Sequence, residues 1–562
     1  MHHHLSLRSK LIIMISVMAS MFLVALDQTI IATALGKIVE DFNAFDSLSW
    51  IITAYLLTTT VTVPIAGKLS DLFGRRTLLL IGVAVFGAAS LMSGLAGDVN
   101  QLVLWRAVQG IGGGIITANA FTIIGDLFAA RERGRWQGML GAVFGLSSVI
   151  GPLLGGWLTD GQQIFGITTS WHWIFWINVP IAFVALGLLI RFCPPLRHDN
   201  KPKVDYIGAV LLTIGLATLV LAVDNTETIF KDVMTTFNLS LAGLRAIMAV
   251  IVVASLGLFI WQEHRVKEPI LPLRFFKNWN YSIVMIIATL FGAGFMGSII
   301  YLTQFNQQVF GARPTESGLM LIPMVAGIMI ASIGSGQIIS RTGKYKIFMQ
   351  IGIVIATIMV ALLATLTPES AYWQEAIMMT LVGFGLGFVM PVMNIAVQNE
   401  FKQRELGVAT SSIQLFRGLG STIGIAIFGS MLTTGITANL TNIDNDPYLQ
   451  SLKSTPAVKK IGDVTDPNTQ LTLNTPDVKS KIKDGFENSV AKAPAPVKAA
   501  AEKKFTTEQD EYSSKITHAF SKSLRGIFIT SAVLMLLASV FVFMIRERQL
   551  KHALATATPG EM

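Results

Sequence analysis

Fourteen stretches of mostly apolar residues punctuate this chain, near 11–35, 48–67, 77–97, 101–125, 136–158, 172–191, 205–223, 245–262, 281–301, 317–339, 347–366, 374–397, 407–434 and 524–545. About 20 apolar residues suffice for a helix to cross the hydrocarbon core of a bilayer, so each stretch is a candidate span. Composition agrees: 52% of the 562 residues are hydrophobic and 14% are charged, against roughly 25% charged in soluble domains. The first run, from Leu11, carries an acid and lacks a small-residue cleavage site, so it reads as a retained helix and not a signal peptide. His2, His3 and His4 precede it and read either as native residues or as an appended tag.

Charge placement orders the spans. With the N-terminus inside, the inner segments hold Arg8 and Lys10; Lys68, Arg75 and Arg76; Arg131, Arg133 and Arg135; Arg191, Arg197, Lys201 and Lys203; Arg265, Lys267, Arg274 and Lys277; Arg341, Lys344 and Lys346; Lys402 and Arg404; and Arg546, Arg548 and Lys551. Short outer loops hold only Lys37, Lys231, Arg245 and Arg313. Cytoplasmic loops concentrate Lys and Arg, so this asymmetry supports an even number of spans with both termini cytoplasmic. The net charge of +9 is thus spread in small clusters, which argues against a nucleic-acid partner. The single cysteine, Cys193, excludes an intrachain disulfide framework and a thiolate metal cluster, and no metal-ligand spacing or nucleotide-binding loop stands out. Enzymatic function is not expected.

One long polar segment, 435–523, falls outside by the count. Its Lys and Asp/Glu nearly balance, and Pro447, Pro456, Pro467, Pro476, Pro494 and Pro496 interrupt it. From Val478 to Phe520 it is helix-prone apart from Pro494 and Pro496, so a helical hairpin on the outer surface and a solvated loop are both open readings. An extracellular partner for this loop is one expectation.

A repeat relates the two ends of the chain. After the second span the sequence runs from Gly67 through Asp71 and Gly74 to Arg75 and Arg76; after the tenth it runs from Gly336 through Ser340 and Gly343 to Lys344 and Lys346. Internally repeated transporters are built this way, with the substrate site at the interface of the repeats. The expected organisation is an N-terminal six-helix half (1–191), two inserted helices with linkers (192–280), a C-terminal six-helix half (281–545) including the outer loop, and a cytoplasmic tail (546–562).

These motifs resemble the fourteen-helix drug:proton antiporter branch of the major facilitator superfamily, the EmrB/QacA type. The resemblance rests on Leu26–Leu35 with its Asp27, the Gly67–Arg76 loop, and Arg106-Ala-Val-Gln109-Gly110 with Gly112–Gly114. It rests also on Gly145, Gly151-Pro152-Leu-Leu-Gly155-Gly156, and Trp171–Pro180. It implies an all-α polytopic membrane protein with the major facilitator fold and proton-driven export across a bacterial plasma or inner membrane. No cofactor is implied beyond the proton gradient, and a monomer is expected.

Asp27 is the first candidate. It lies well inside span one, where an ionised carboxylate must face a wet cavity, be paired, or be protonated. A group held between those states can load and release a proton, and the resemblance implies this role. Arg106 lies roughly 8 Å below the outer surface, at a depth matching Asp27, so a contact is permitted; the resemblance implies a part in proton coupling, and snorkelling to the interface is the plainer alternative.

At about 100° per residue, Gly141, Gly145, Gly151, Gly155 and Gly156 fall within one face of span five. Small residues let another helix approach closely, and Pro152 removes a backbone hydrogen bond, so the face suits either a bendable seam or static packing. The resemblance adds a gating role for Gly67, Asp71, Gly74, Arg75 and Arg76, with Asp71 latching this loop to the opposite half and Asp126 nearby. Candidate cavity residues are Trp50, Tyr55, Gln109, Phe291, Phe295, Tyr301, Gln304 and Arg417, since aromatic faces attract lipophilic cations. Export of small amphipathic or cationic compounds is the leading expectation. A dedicated exporter of an endogenous lipid, peptide or metabolite, and a membrane scaffold or receptor using the outer loop, are the alternatives.

Overall fold

A computed structural model describes residues 6–42, 48–159, 161, 163–164, 166–194, 204–223, 226–312, 314–439, 446–452, 469–470, 473–474, 476–491 and 494–550. His2–His4, Arg197, Lys201, Lys203, Arg313, Lys551 and parts of 435–523 lie outside the described residues. Among the described residues, fourteen helices long and apolar enough to span a membrane follow one another. We number them α1 (Leu7–Phe42), α2 (Leu48–Phe73), α3 (Arg75–Ser93), α4 (Val99–Leu127), α5 (Ala130–Thr159), α6 (Asn178–Phe192), α7 (Tyr206–Val223), α8 (Leu241–Arg265), α9 (Trp279–Gln308), α10 (Ile322–Thr342), α11 (Lys346–Leu363), α12 (Tyr372–Gln398), α13 (Leu406–Asn439) and α14 (Ala495–Met544).

The first six helices enclose apolar clusters around Val24, Phe86 and Ile123 and around Ile30, Leu102 and Phe175. The last six enclose another around Tyr281, Phe291, Val389 and Ile527. Between them α7 and α8 pair with each other, and α7 rests on α2 and α13. Their outward side chains, such as Ile207, Val210, Val250 and Val253, are exposed, as lipid-facing residues are in the absence of lipid.

The basic clusters gather at one end of the bundle through direct contacts. Lys10 lies over the Phe128 ring, Arg76 donates to Ile190 O at 2.8 Å, and Lys68 meets Glu268 at 2.6 Å. Lys346 donates to Phe543 O, and Arg548 pairs with Glu400 at 3.1 Å. We call this end the basic face and the opposite end the far face.

Several boundaries differ from those expected. The sixth span opens as a separate helical turn, Trp173–Trp176, before α6. The tenth divides into Pro314–Met320 and α10, with Pro323 starting α10 in the first turn, where its missing N–H costs nothing. A short two-stranded hairpin, β1 (Gln163–Ile164) and β2 (Ile167–Thr168), turns through Gly166 at φ 81° between α5 and the Trp173–Trp176 turn, an addition to an otherwise all-α fold. The largest difference is α14, which runs unbroken for 50 residues instead of beginning near 524. Its N-terminal stretch packs against a helix over Pro476–Val490, with Phe486 stacked on Phe505 at 4.1 Å. Tyr448, Leu473, Tyr512 and Phe520 are buried beside them. This part of 435–523 is therefore the helical hairpin, with Pro494 as the N-cap of α14.

The sequence repeat has a structural counterpart. Gly74 and Gly343 both take positive φ, 96° and 73°, where a side chain would be strained. Gly67 faces α13, where a Cβ would collide with Ser411, and Gly336 faces α5, where a Cβ would stand 2.5 Å from the Gly134 carbonyl. Each half thus offers a glycine to the other at the same place in its repeat.

Candidate functional site

A buried ion pair lies within the membrane-spanning bundle. Asp27 on α1 and Arg106 on α4 form an ion pair, Nη1 to Oδ2 at 2.5 Å, with both side chains about 1% exposed. The other carboxylate oxygen accepts from Gln109 Nε2 at 2.8 Å and from Asn178 Nδ2 at 3.4 Å. Gln109 Oε1 accepts from the same guanidinium at 2.9 Å. Arg106 also donates to Ile51 O at 3.4 Å, and its Cζ stands 4.4 Å from the Tyr55 ring centroid. Ser90 on α3 accepts from Gln109 and Asn178 and donates to Phe175 O at 2.9 Å.

Helical spacing explains the assembly. Arg106 and Gln109, three apart on α4, share a face and reach the same carboxylate. Asn178 arrives from the first residue of α6. Every polar group here is buried, so the carboxylate is held by protein donors instead of water. Removing one donor, or adding a proton to Asp27, unbalances the whole set. Gln109 and Tyr55, read as cavity residues, belong to this cluster. Asn178 and Ser90 were not among the site candidates; small neutral polar residues in a helix carry no charge signal to single them out.

A second charged cluster closes the basic face. Asp71, at the end of α2, contacts Arg75 across the Gly74 turn, and Arg75 Nε pairs with Asp126 Oδ2 at 3.0 Å. Arg75 also donates to Ser70 Oγ at 2.6 Å. The Asp71 carboxylate accepts from the backbone amides of Gly407 and Val408 at 3.1 and 2.9 Å. Those N–H groups lie in the first turn of α13, lack intrahelical partners and sit at the positive end of the helix dipole. One side chain of the first half therefore caps a helix of the second. Arg76 points aside, to α6. Ser340, in the place of Asp71, makes no such bridge among the described residues.

Further ties lie at the same end. Gln398 on α12 donates to Phe121 O at 3.1 Å and accepts from Gln137 at 3.0 Å, and Gln403 donates to Asp126 O at 3.3 Å. A cavity of about 590 Å³ borders this latch, lined by Lys68, Glu263, Lys267 and Arg274, and does not reach Asp27.

The span-five glycines divide between two neighbours instead of presenting one seam. Gly138, Gly141 and Gly145 face Ser332 and Val325 of α10, whereas Gly151 faces Thr29 of α1. Their arc is about 140° wide, enough to touch two helices at once. Thr29 Oγ1 donates to Ser147 O at 2.9 Å beside Gly151. Pro152 meets Gly318, Gly155 is buried, and Gly156 is half-buried.

Phe291 and Phe295 stack at 5.7 Å within the second-half core, and Tyr301 lies against Phe428. Trp50 and Gln304 are half-buried. Arg417 on α13 is half-buried and donates to Gln414 Oε1 at 2.6 Å. Glu375 on α12 and Asn306 on α9 are fully buried and face each other. Glu375 was missed because it sits at the edge of its apolar run, where charge is common. Among the described residues no cluster could hold a metal ion.

Fourteen spanning helices, a repeat whose glycines interlock the halves and a buried ion pair in the membrane define a transporter. The family model of the Major Facilitator Superfamily matches residues 17–425, and the chain belongs to that superfamily, in its multidrug efflux type. It is 35% identical over 480 residues to the multidrug transporter protein MdtP of Bacillus subtilis (strain 168), covering 84% of this chain and 85% of the relative. It is 32% identical over 530 residues to multidrug resistance protein 3 of the same organism, covering 94% and 95%. The proton:xylose symporter XylE shares the fold, with a TM-score of 0.58, 13% identity, and coverage of 95% of each chain. The chain is a membrane transporter of efflux type and not an enzyme.

Proposed function

We propose that this transporter exports small amphipathic or cationic compounds in exchange for protons, by alternating access between residues 1–191 and 281–545. The observation that carries the reading is the Asp27–Arg106 pair, a charge couple whose burial within the membrane costs free energy. A proton on Asp27 removes the anion that holds Arg106. The guanidinium then keeps Gln109, Ile51 O and the Tyr55 and Phe175 rings, and the α1–α4 packing loosens. Deprotonation restores the pair, so proton binding and helix packing become one equilibrium.

Positive-inside bias supports a cytoplasmic basic face with the helical hairpin of 435–523 at the exterior, and the Bacillus subtilis relatives favour a bacterial membrane. The latch from Asp71 to α13 is then a closed cytoplasmic gate, and its opening admits cargo from inside. The working unit is a monomer driven by the proton gradient.

The test uses purified protein in liposomes with an imposed pH gradient and a panel of fluorescent amphipathic dyes of either charge. Gradient-dependent uptake by the unmodified chain, lost in Asp27→Asn, supports the reading. Uptake that persists in Asp27→Asn removes Asp27 from proton coupling. Uptake indifferent to the gradient removes proton coupling altogether.

A further inference from the structure

The bilayer interior of this protein contains a second guanidinium whose partner is not acidic. Arg417 lies about 17 Å along α13 from its basic-face end, near mid-membrane depth. Its side-chain hydrogen bond is to Gln414 Oε1 at 2.6 Å, and no carboxylate of the described residues pairs with it. Arg106, by contrast, is neutralised by Asp27. A guanidinium has five N–H donors in a planar fork, so one amide oxygen leaves most of them without a protein acceptor.

Its direction matters as much as its depth. Arg417 and Gln414 lie seven and four residues after Thr410, on the same stripe of α13. Thr410 Oγ1 meets Gln398 Nε2 at 3.2 Å, and Gln398 in turn bonds α4 and α5 of the first half. The stripe therefore looks toward the interface of the halves. Gly418, the next residue, has no atom within 4 Å of where a Cβ would stand.

The acids of the spans are placed unfavourably for holding a cation at this depth. Asp27 is consumed by Arg106; Asp71 and Asp126 by Arg75; Glu263 by the amides of Ile270 and Leu271. Glu375 lies in the first turn of α12, at the far face. The middle of α13 thus carries a positive charge that no acid of the described residues pairs with, and in a medium of low dielectric such a charge attracts anions and repels cations.

We propose that Arg417, assisted by Gln414, recognises an acidic group on the cargo, so that amphipathic molecules bearing one carboxylate or sulfonate are the preferred substrates. This rests on the exporter reading above and narrows its substrate class. The fork geometry suits a two-pronged hydrogen bond to a carboxylate, which a lysine ammonium reproduces only in charge.

The experiment compares three probes with one fluorophore: 11-(dansylamino)undecanoic acid, its methyl ester and dansylcadaverine. Binding to the purified full chain at pH 7.5 is read from dansyl emission. The unmodified protein is expected to bind the acid about tenfold more tightly than the ester or the amine. Arg417→Gln brings acid and ester within about twofold by weakening the acid alone, and Arg417→Lys falls between. Unchanged ester affinity in Arg417→Gln shows that the fold is intact. Equal affinities for acid and ester in the unmodified protein overturn the proposal, with no variant needed. So does an acid preference that survives in Arg417→Gln. Uptake into liposomes is scored separately. Acid-selective binding without gradient-driven uptake upholds this site and defeats the exporter reading; gradient-driven uptake indifferent to probe charge does the reverse.

Discussion

Asp27 and Arg106, 79 residues apart in the chain, share one hydrogen bond of 2.5 Å in a site that water does not reach. The pair is the electrostatic centre of the first half. Changing Asp27 to Asn retains an acceptor but leaves Arg106 as a buried cation without its anion. Breaking a buried pair in this way costs about 3–5 kcal/mol. Asp27→Asn is expected to melt at a lower temperature in detergent and to lose gradient-driven uptake. A thermal-shift assay beside the uptake assay checks both, and an unchanged melting temperature would show that the pair does not hold α1 to α4.

The latch at the basic face makes a separate claim. Asp71→Asn keeps an acceptor for α13 but loses the charge that faces Arg75. Ser411, about 1% exposed and pressed against Gly67, becomes accessible only when the halves part there. A cysteine introduced at Ser411 is expected to react with maleimide at least about tenfold faster when combined with Asp71→Asn. Equal rates would mean that the latch does not govern opening at this end.

The glycines supply their own control. A Cβ on Gly138 runs into the Ser332 carbonyl, and one on Gly336 into that of Gly134, whereas Gly334 meets nothing within 4 Å. Gly138→Ala and Gly336→Ala should each cost about 1–3 kcal/mol by overpacking. Gly334→Ala, on the same helix as Gly336, should be neutral or stabilise by up to about 1 kcal/mol. Melting temperatures of the three variants test the ordering.

Cys193, just past the end of α6, is about 2% exposed. Burial pushes its thiol up from 9.0 to about 11, against a smaller opposing effect of Arg76. The folded state holds the proton more tightly than the unfolded chain. The resulting stabilisation is therefore complete below about pH 9 and is lost as pH rises toward 11. Maleimide labelling of the native protein should be negligible at pH 7.5, while the unfolded chain labels readily. A Cys193→Ser variant should lack this thiol's part of the alkaline loss of stability.

Much of this architecture was readable in advance, for physical reasons. Lipid imposes a length and a polarity on every span, so α2, α3, α4 and α12 stand close to where their apolar runs lie. Asp27 announced itself as a charge inside such a run, and equal depth already allowed Arg106 as its partner. What local pattern cannot carry is the register between distant helices. Nothing near Asp71 encodes Gly407, and Asn178 and Ser90 resemble any small polar residue that a helix tolerates. The split of the span-five glycines between α10 and α1 depends on how wide an arc two neighbours can share. The start of α14 escaped notice because hydropathy marks where a helix enters lipid and says nothing of how far it continues beyond.

That continuation gives the protein a mechanical property. The polar stretch of α14 before residue 524 runs about 44 Å without a break, and Phe486 and Tyr448 brace it at Phe505, part-way along. A rod fixed at one end in the second half magnifies any tilt of that half. A rotation of about 10° sweeps the tip through about 8 Å, more than a helical turn. The hairpin is in effect a pointer: it reports, at a distance and in water, the angle of helices that are otherwise hidden in the membrane.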